Sequence, residues 1–110
     1  MAYSEELAAR VRRALGNRSG LAEKRMFGGL CFLLGGNMCC GVTGDELMVR
    51  VGPEAHAAAL ALPHARAMDF TGRPLRGFVY VSPEGSAAEA DLAAWVERGV
   101  RFAESLPAKG

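Results

Sequence analysis

Between Leu7 and Leu15, apolar residues recur every three to four positions. Leu7, Val11 and Leu15 fall at i, i+4 and i+8 with Ala8 and Ala14 beside them, while Arg10, Arg12, Arg13 and Arg18 lie off that stripe or at its end. A single apolar face at a period near 3.6 predicts an amphipathic helix. Ser4 is its predicted N-cap, and Glu5 and Glu6 stand in the first turn, where the helix dipole favours anions. Gly16-Asn17 and Ser19-Gly20 predict its end.

From Leu21 to Val51 the period changes. Short apolar runs are punctuated by Gly28-Gly29, Gly35-Gly36, Gly41, Gly44 and Gly52, which predicts three or four strands in a meander. Gly35-Gly36 suits a two-residue hairpin turn with positive φ at both central positions, and Gly44-Asp45 is a second turn. Leu47, Val49 and Val51 then alternate with Met48 and Arg50, giving one strand two distinct faces. Pro53 predicts the start of an Ala-rich helix through Glu54–Leu62, which Pro63 ends. Ala67–Phe70 reads as a brief strand, and Phe78–Val81 as a strong one by β-propensity. Ser82-Pro83-Glu84-Gly85 predicts a turn. Ser86 is the predicted N-cap of the last helix, with Glu89 completing a capping box. Leu92, Trp95, Val96, Gly99, Phe102, Ala103 and Leu106 form its apolar face, where Gly99 admits another backbone. Residues 107–110 are expected to fray.

The order α-β-β-β-(β)-α-β-α lacks the strand–helix alternation of doubly wound folds. It predicts an α+β fold: an antiparallel sheet of about four to five strands with the N-terminal, middle and C-terminal helices packed on it. A chain of 110 residues is one domain, over residues 1–110.

Composition narrows the function. The net charge of +1 gives no long-range field to attract nucleic acid, so direct nucleic-acid binding is not expected. The chain has no apolar run long enough for a membrane span, and its acidic start lacks a signal-peptide pattern, so a cytoplasmic protein without a membrane partner is expected. Three cysteines are too few and too close for a secreted disulfide framework, which suggests reduced thiols.

The stretch Met26–Gly41, MFGGLCFLLGGNMCCG, contains all three cysteines. Its glycine pairs fit no phosphate-loop or dinucleotide pattern and lie between strands, so they read as turns or bulges. With Gly35-Gly36 as the turn, Phe32 would face Cys39 and Cys31 would face Cys40. Alternation would put Cys31, Leu33, Met38 and Cys40 on one face, and Phe32, Leu34 and Cys39 on the other. Both faces are apolar, so each needs a cover: helices on one side, a partner or loop on the other. Neighbouring cysteines pointing opposite ways, with no CxxC, predict no metal site and no cofactor. The thiols read as small packing residues.

Several segments, taken in order, resemble the N-terminal domain of the TfoX/Sxy family. They are Glu23–Leu30 (EKRMFGGL), Gly36-Asn37-Met38, Leu47–Pro53 (LMVRVGP), Met68–Pro74 (MDFTGRP), Gly77–Val81 (GFVYV) and Leu92–Glu97 (LAAWVE). The resemblance covers nearly the whole chain. It implies helices packed on an antiparallel sheet and a regulatory role. Family members include regulators of natural competence in bacteria, thought to act with a cyclic-AMP-responsive transcription activator. Those regulators carry a second, helical domain resembling helix-hairpin-helix DNA-binding modules; this chain is expected to be the N-terminal domain standing alone. The family usually has small apolar residues at the positions of Cys39 and Cys40, in keeping with a packing role. The resemblance supplies no catalytic residues.

Cationic residues recur near the apolar segments. Arg50 lies inside a strand and needs a partner if its face is covered. Asp69 is the candidate partner, and beside Thr71 and Gly72 it also suits a turn. A cleft formed by Lys24, Arg25, Arg50 and Arg73, with Asp69 beside it, is the candidate ligand- or partner-binding site. His56 and His64 read as surface or capping residues, and nothing resembles a catalytic constellation, so no enzyme is expected. The leading expectation is a non-enzymatic regulatory domain that binds a protein, such as a transcription regulator, through a sheet face or edge. Self-association as a homodimer is the other way to cover the apolar face. The alternative function is a sensor that binds a small anionic ligand in the arginine-lined cleft.

Overall fold

The structure is a computed structural model and describes residues 3–70 and 72–108. Thr71 of the expected Asp69 turn and the last two residues of the expected frayed tail lie outside this set. Helix α1 spans Glu5–Leu15. Strands β1 Leu21–Met26, β2 Gly29–Leu34, β3 Asn37–Thr43 and β4 Glu46–Arg50 follow. Then come α2 His56–Leu60, β5 Ala65–Phe70, β6 Arg73–Val81, α3 Pro83–Ser86 and α4 Glu89–Glu104. The six strands form one antiparallel sheet in the order β1-β2-β3-β4-β6-β5.

The α+β class is as expected, but the strand count is higher. The meander has four strands, and the brief strand at Ala67–Phe70 is a full partner of β6. β6 itself begins at Arg73, five residues before the propensity-rich Phe78, because β5 pairs with it back to the turn (Asp69 opposite Pro74, Phe70 opposite Arg73). Pro74 is tolerated there because β4 pairs with β6 only from Phe78 onward, so that part of β6 has one neighbour.

The first helix begins and ends as its sequence predicts. Ser4 Oγ accepts a bond from the Leu7 N–H at 3.1 Å, and Gly16, at φ 65°, closes the last turn onto Arg12. The last helix does not. Ser82-Pro83-Glu84-Gly85 winds into α3, Ser86 is its final residue, and α4 is capped by Ala88 with no side-chain bond. The capping box is replaced by Arg10. Its guanidinium takes Glu89 at 2.6 Å and the Ser86 carbonyl at 2.7 Å, tying α1 to the start of α4. The middle helix is shorter than expected, starting at His56 rather than Glu54.

One face of the sheet is covered by helices. Leu7, Val11 and Leu15 of α1 and Leu92, Trp95, Val96 and Val100 of α4 join Phe32, Val42, Leu47, Val49, Val79 and Val81 in a single core. Gly99 permits the closest approach: a Cβ there would come within 2.1 Å of the Cys39 carbonyl oxygen.

That approach coincides with a break in register. Leu33 faces Met38 as predicted, but Phe32 faces Cys40 and Cys31 faces Gly41. Cys39 is the extra residue of a β-bulge. The cause is a parity conflict. Val42 must join Leu47, and Cys40 must join Val49, on the helix face, while Met38, of the same parity, faces the other way with Leu33. An inserted residue resolves it, so Cys40 lies with Cys39 on the helix side rather than beside Cys31. The bulge also brings Gly41 between Cys31 and Met48, where a Cβ would come within 2.8 Å of the Leu30 carbonyl oxygen and 2.9 Å of Met48 Cε.

The other face carries a second core of Cys31, Met38, Met48, Met68 and Tyr80, rimmed by Met26, Phe27, Leu33, Leu75 and Phe78. No helical residue belongs to it among those described, yet Met48 and Met68 are fully buried. For these central residues the expected cover comes from a loop of the chain itself, the β1–β2 turn, which the coiling of the sheet brings across them. Phe27, in the β1–β2 turn, reaches Phe78 on β6 with ring centroids 6.2 Å apart, although β3 and β4 intervene. In a flat sheet β2 and β6 would be separated by three strand spacings, about 14 Å. The turn is built from Phe27 and Gly28, both at positive φ (54° and 70°), so Phe27 holds a conformation that bulky residues rarely adopt. Gly29, expected in a turn or bulge, is a strand residue whose bare Cα passes the Val42 carbonyl; a Cβ would lie 2.0 Å from that oxygen.

Candidate functional site

The cysteines divide between the two faces. Cys31 is enclosed in the second core, and its Sγ lies 3.8 Å from the Met26 carbonyl. Burial pushes its thiol pKa up to about 11. Cys39 donates to the Phe32 carbonyl at 3.3 Å and lies 3.8 Å from Cys40 Sγ. The hydrogen bond with Cys39 and complete burial raise the Cys40 thiol pKa well above its ordinary value. All three are free and buried. Among the described residues no three His, Cys, Asp or Glu side chains come together as a metal site.

The predicted cationic set is dispersed. Lys24 and Arg25 are adjacent on β1, so they point to opposite faces. Lys24 shares a row with Cys31 on the coiled side, and Arg25 shares one with Leu30 on the helix side. Asp69 and Arg73 belong to the β5–β6 hairpin, at the opposite end of the strand order. Arg25 lines a small surface cavity with Tyr3, Met26, Gly28 and Gly29.

Arg50 does not pair with Asp69 among the described residues. Its guanidinium lies between two aromatic rings, 5.4 Å from the centroid of Phe78 and 5.1 Å from that of Phe102. Phe78 is its cross-strand neighbour, and Phe102 reaches the strand end because Gly52 is bare; a Cβ there would come within 2.4 Å of the Phe102 ring. Cation–π contact satisfies a half-buried guanidinium without a carboxylate, so the expected ion pair is not needed.

Two surfaces stand out among the described residues. The first is the edge strand β1, which pairs only with β2. Its inner residues Ala22, Glu23, Lys24 and Arg25 are all exposed, so neither face is covered there. Arg12 engages Glu23 through bonds of 2.7 and 2.9 Å. Lys24 and Arg25 have no ion pair among the described residues.

The second is a cavity of about 460 Å³ between α2 and α4. Val51, Leu62 and Phe102 give it an apolar surface, three alanines of the α2 region form a low wall, and Arg98 and Arg101 stand along the other side. Sequence reasoning identified the apolar face of α4 but not these arginines. Their one signal was spacing: Trp95, Arg98 and Arg101 are three apart and share a helix side. His56 is less peripheral than expected, whereas His64 is exposed as expected. His56 Nε2 is buried without a hydrogen-bond partner, and His64, at φ 68°, accepts the Ser82 N–H through its carbonyl.

No helix among the described residues is long and apolar enough to cross a membrane. Searches of curated proteins and of solved structures give no match. The model of the TfoX N-terminal domain matches residues 6–103.

Proposed function

The chain belongs to the TfoX N-terminal domain family, and on that footing we propose that it is a non-enzymatic regulatory domain that works by binding another protein in the cytoplasm. The observation that carries the reading is the edge strand β1, exposed on both faces and paired on one side only. An unpaired strand edge presents backbone donors and acceptors to an incoming extended segment. Lys24 and Arg25 flank that edge with positive charge that no ion pair among the described residues offsets, so the segment it suits is extended and acidic. A transcription regulator is the partner class that competence regulators of this family suggest. In the proposed site, Lys24 and Arg25 contact the partner. Arg50, at the aromatic corner, and Asp69 and Arg73, in the β5–β6 hairpin, lie outside it.

The test is binding of a purified cyclic-AMP-responsive transcription activator to the intact chain and to a Lys24→Glu/Arg25→Glu variant, read by interferometry. The expected result is saturable binding that weakens at least about tenfold in the variant, with an unchanged melting temperature because both side chains are exposed. Equal binding by both chains, or none by either, overturns the reading.

A further inference from the structure

The cavity between α2 and α4 exists because of short side chains. Ala55, Ala58 and Ala59 face α4 across it and cannot fill the space a larger residue would close. On the far side Phe102 is seated on the bare Cα of Gly52 and under the guanidinium of Arg50, so the apolar wall is held in place. The volume of about 460 Å³ falls within the ~300–1,000 Å³ usual for small-molecule sites.

Charge gives this space a polarity. Arg10, Arg12, Arg18 and Arg66 each pair with a glutamate. Arg98 and Arg101 pair with none among the described residues. Arg98 is half-buried and held against the Trp95 ring, 4.7 Å from its centroid, so it is placed before any ligand arrives. An acidic residue, Asp91, stands at the other end, where it lines a smaller adjoining cavity with His64 and Arg98. An anion is therefore favoured at the Arg101 end and opposed at the Asp91 end.

We propose that this cavity binds a small amphiphilic anion, its apolar body between α2 and α4 and its single carboxylate or phosphate-monoester head on Arg98 and Arg101. The site is separate from the β1 edge, and its test does not depend on a protein partner.

The experiment is calorimetric titration of the intact chain with octanoate, octyl phosphate, octanol and inorganic phosphate. At least one of the two amphiphilic anions binds one-to-one and raises the melting temperature. Octanol and inorganic phosphate each bind at least about tenfold more weakly. Whichever anion is tighter identifies the head group. Ala58→Phe, which fills the cavity, abolishes binding. Arg98→Gln/Arg101→Gln weakens it at least about tenfold without lowering the ligand-free melting temperature by more than a few degrees; this variant decides the matter if Ala58→Phe does not fold. Octanol binding as tightly as the anions, unchanged binding by the arginine variant, or no saturable binding below about 1 mM overturns the proposal.

Discussion

Leu47 and Met48 are consecutive in β4 and both fully buried, but by different means. Leu47 is covered by elements from elsewhere in the chain, α1 and α4, which lay close-packed Leu and Val side chains on the sheet. Met48 is enclosed by the sheet's own coiling and by the side chains that lean over it from the β1–β2 turn and the β5–β6 hairpin. The two cores differ in composition accordingly. Among the described residues the helix-covered core contains no methionine, whereas Met26, Met38, Met48 and Met68 all belong to the other. A coiled surface has irregular gaps, and the unbranched, adaptable thioether fills them where branched residues would not. One core is specified by long-range helix docking, and the other by local strand geometry.

The sharpest way to break the helix-covered side is Gly99→Ala. The added methyl group would meet the Cys39 carbonyl, a backbone atom held by the bulge, so a loss of about 3 kcal/mol or more is expected in urea denaturation. A loss below about 1 kcal/mol would show that α4 shifts freely and that the bulge does not fix its seat. On the coiled side Met48→Ala should cost about 2–4 kcal/mol, comparable with Leu47→Ala, if the second core is as tightly packed as the first. A cost under about 0.5 kcal/mol would mean a loose side that water enters easily. The smallest effect concerns the ion pair joining α1 to β1. The hydrogen bond from Arg12 holds the Glu23 carboxyl below its ordinary pKa. Its contribution is present above the unfolded-state pKa and is lost as pH falls through the lower folded-state value. Both side chains are more than a third exposed, so screening reduces it to a few tenths of a kcal/mol. Comparing urea midpoints of the wild-type chain and Glu23→Gln between about pH 3 and 6 should show a small wild-type advantage that disappears at the acid end.

Where a signal was local, the sequence was readable. The Ser4 cap, the Gly35-Gly36 turn, the alternation from Leu47 to Val49 and the Gly99 approach all follow from residue type and period. Features set by tertiary contact were not. The Cys39 bulge arises because β2 and β4 place conflicting demands on β3, which no window along β3 reveals. The early start of β6 depends on pairing with β5, and the α4 cap was lost because Arg10, far away in sequence, takes both Glu89 and the Ser86 carbonyl. The candidate cationic site failed as a unit for a similar reason. Lys24, Arg25, Arg50 and Arg73 are alike in chemistry and in local context, but strand order and strand parity separate them. The α2–α4 cavity was hidden because its signal is what α2 lacks, namely large side chains.

The segments around Tyr3 and Pro107 are held at opposite ends of β3. Tyr3 bridges Gly44 at the β3–β4 turn, whereas the buried Asn37 side chain donates to the Pro107 carbonyl at 2.9 Å and Ala108 packs against Gly35 at the β2–β3 turn. The expected fraying therefore does not extend to Pro107 and Ala108. β3, which joins these two turns, is seven residues long, about 23 Å at the usual rise. One strand thus ties down two distant segments at once: its far turn holds Tyr3, and its near turn holds Pro107 and Ala108.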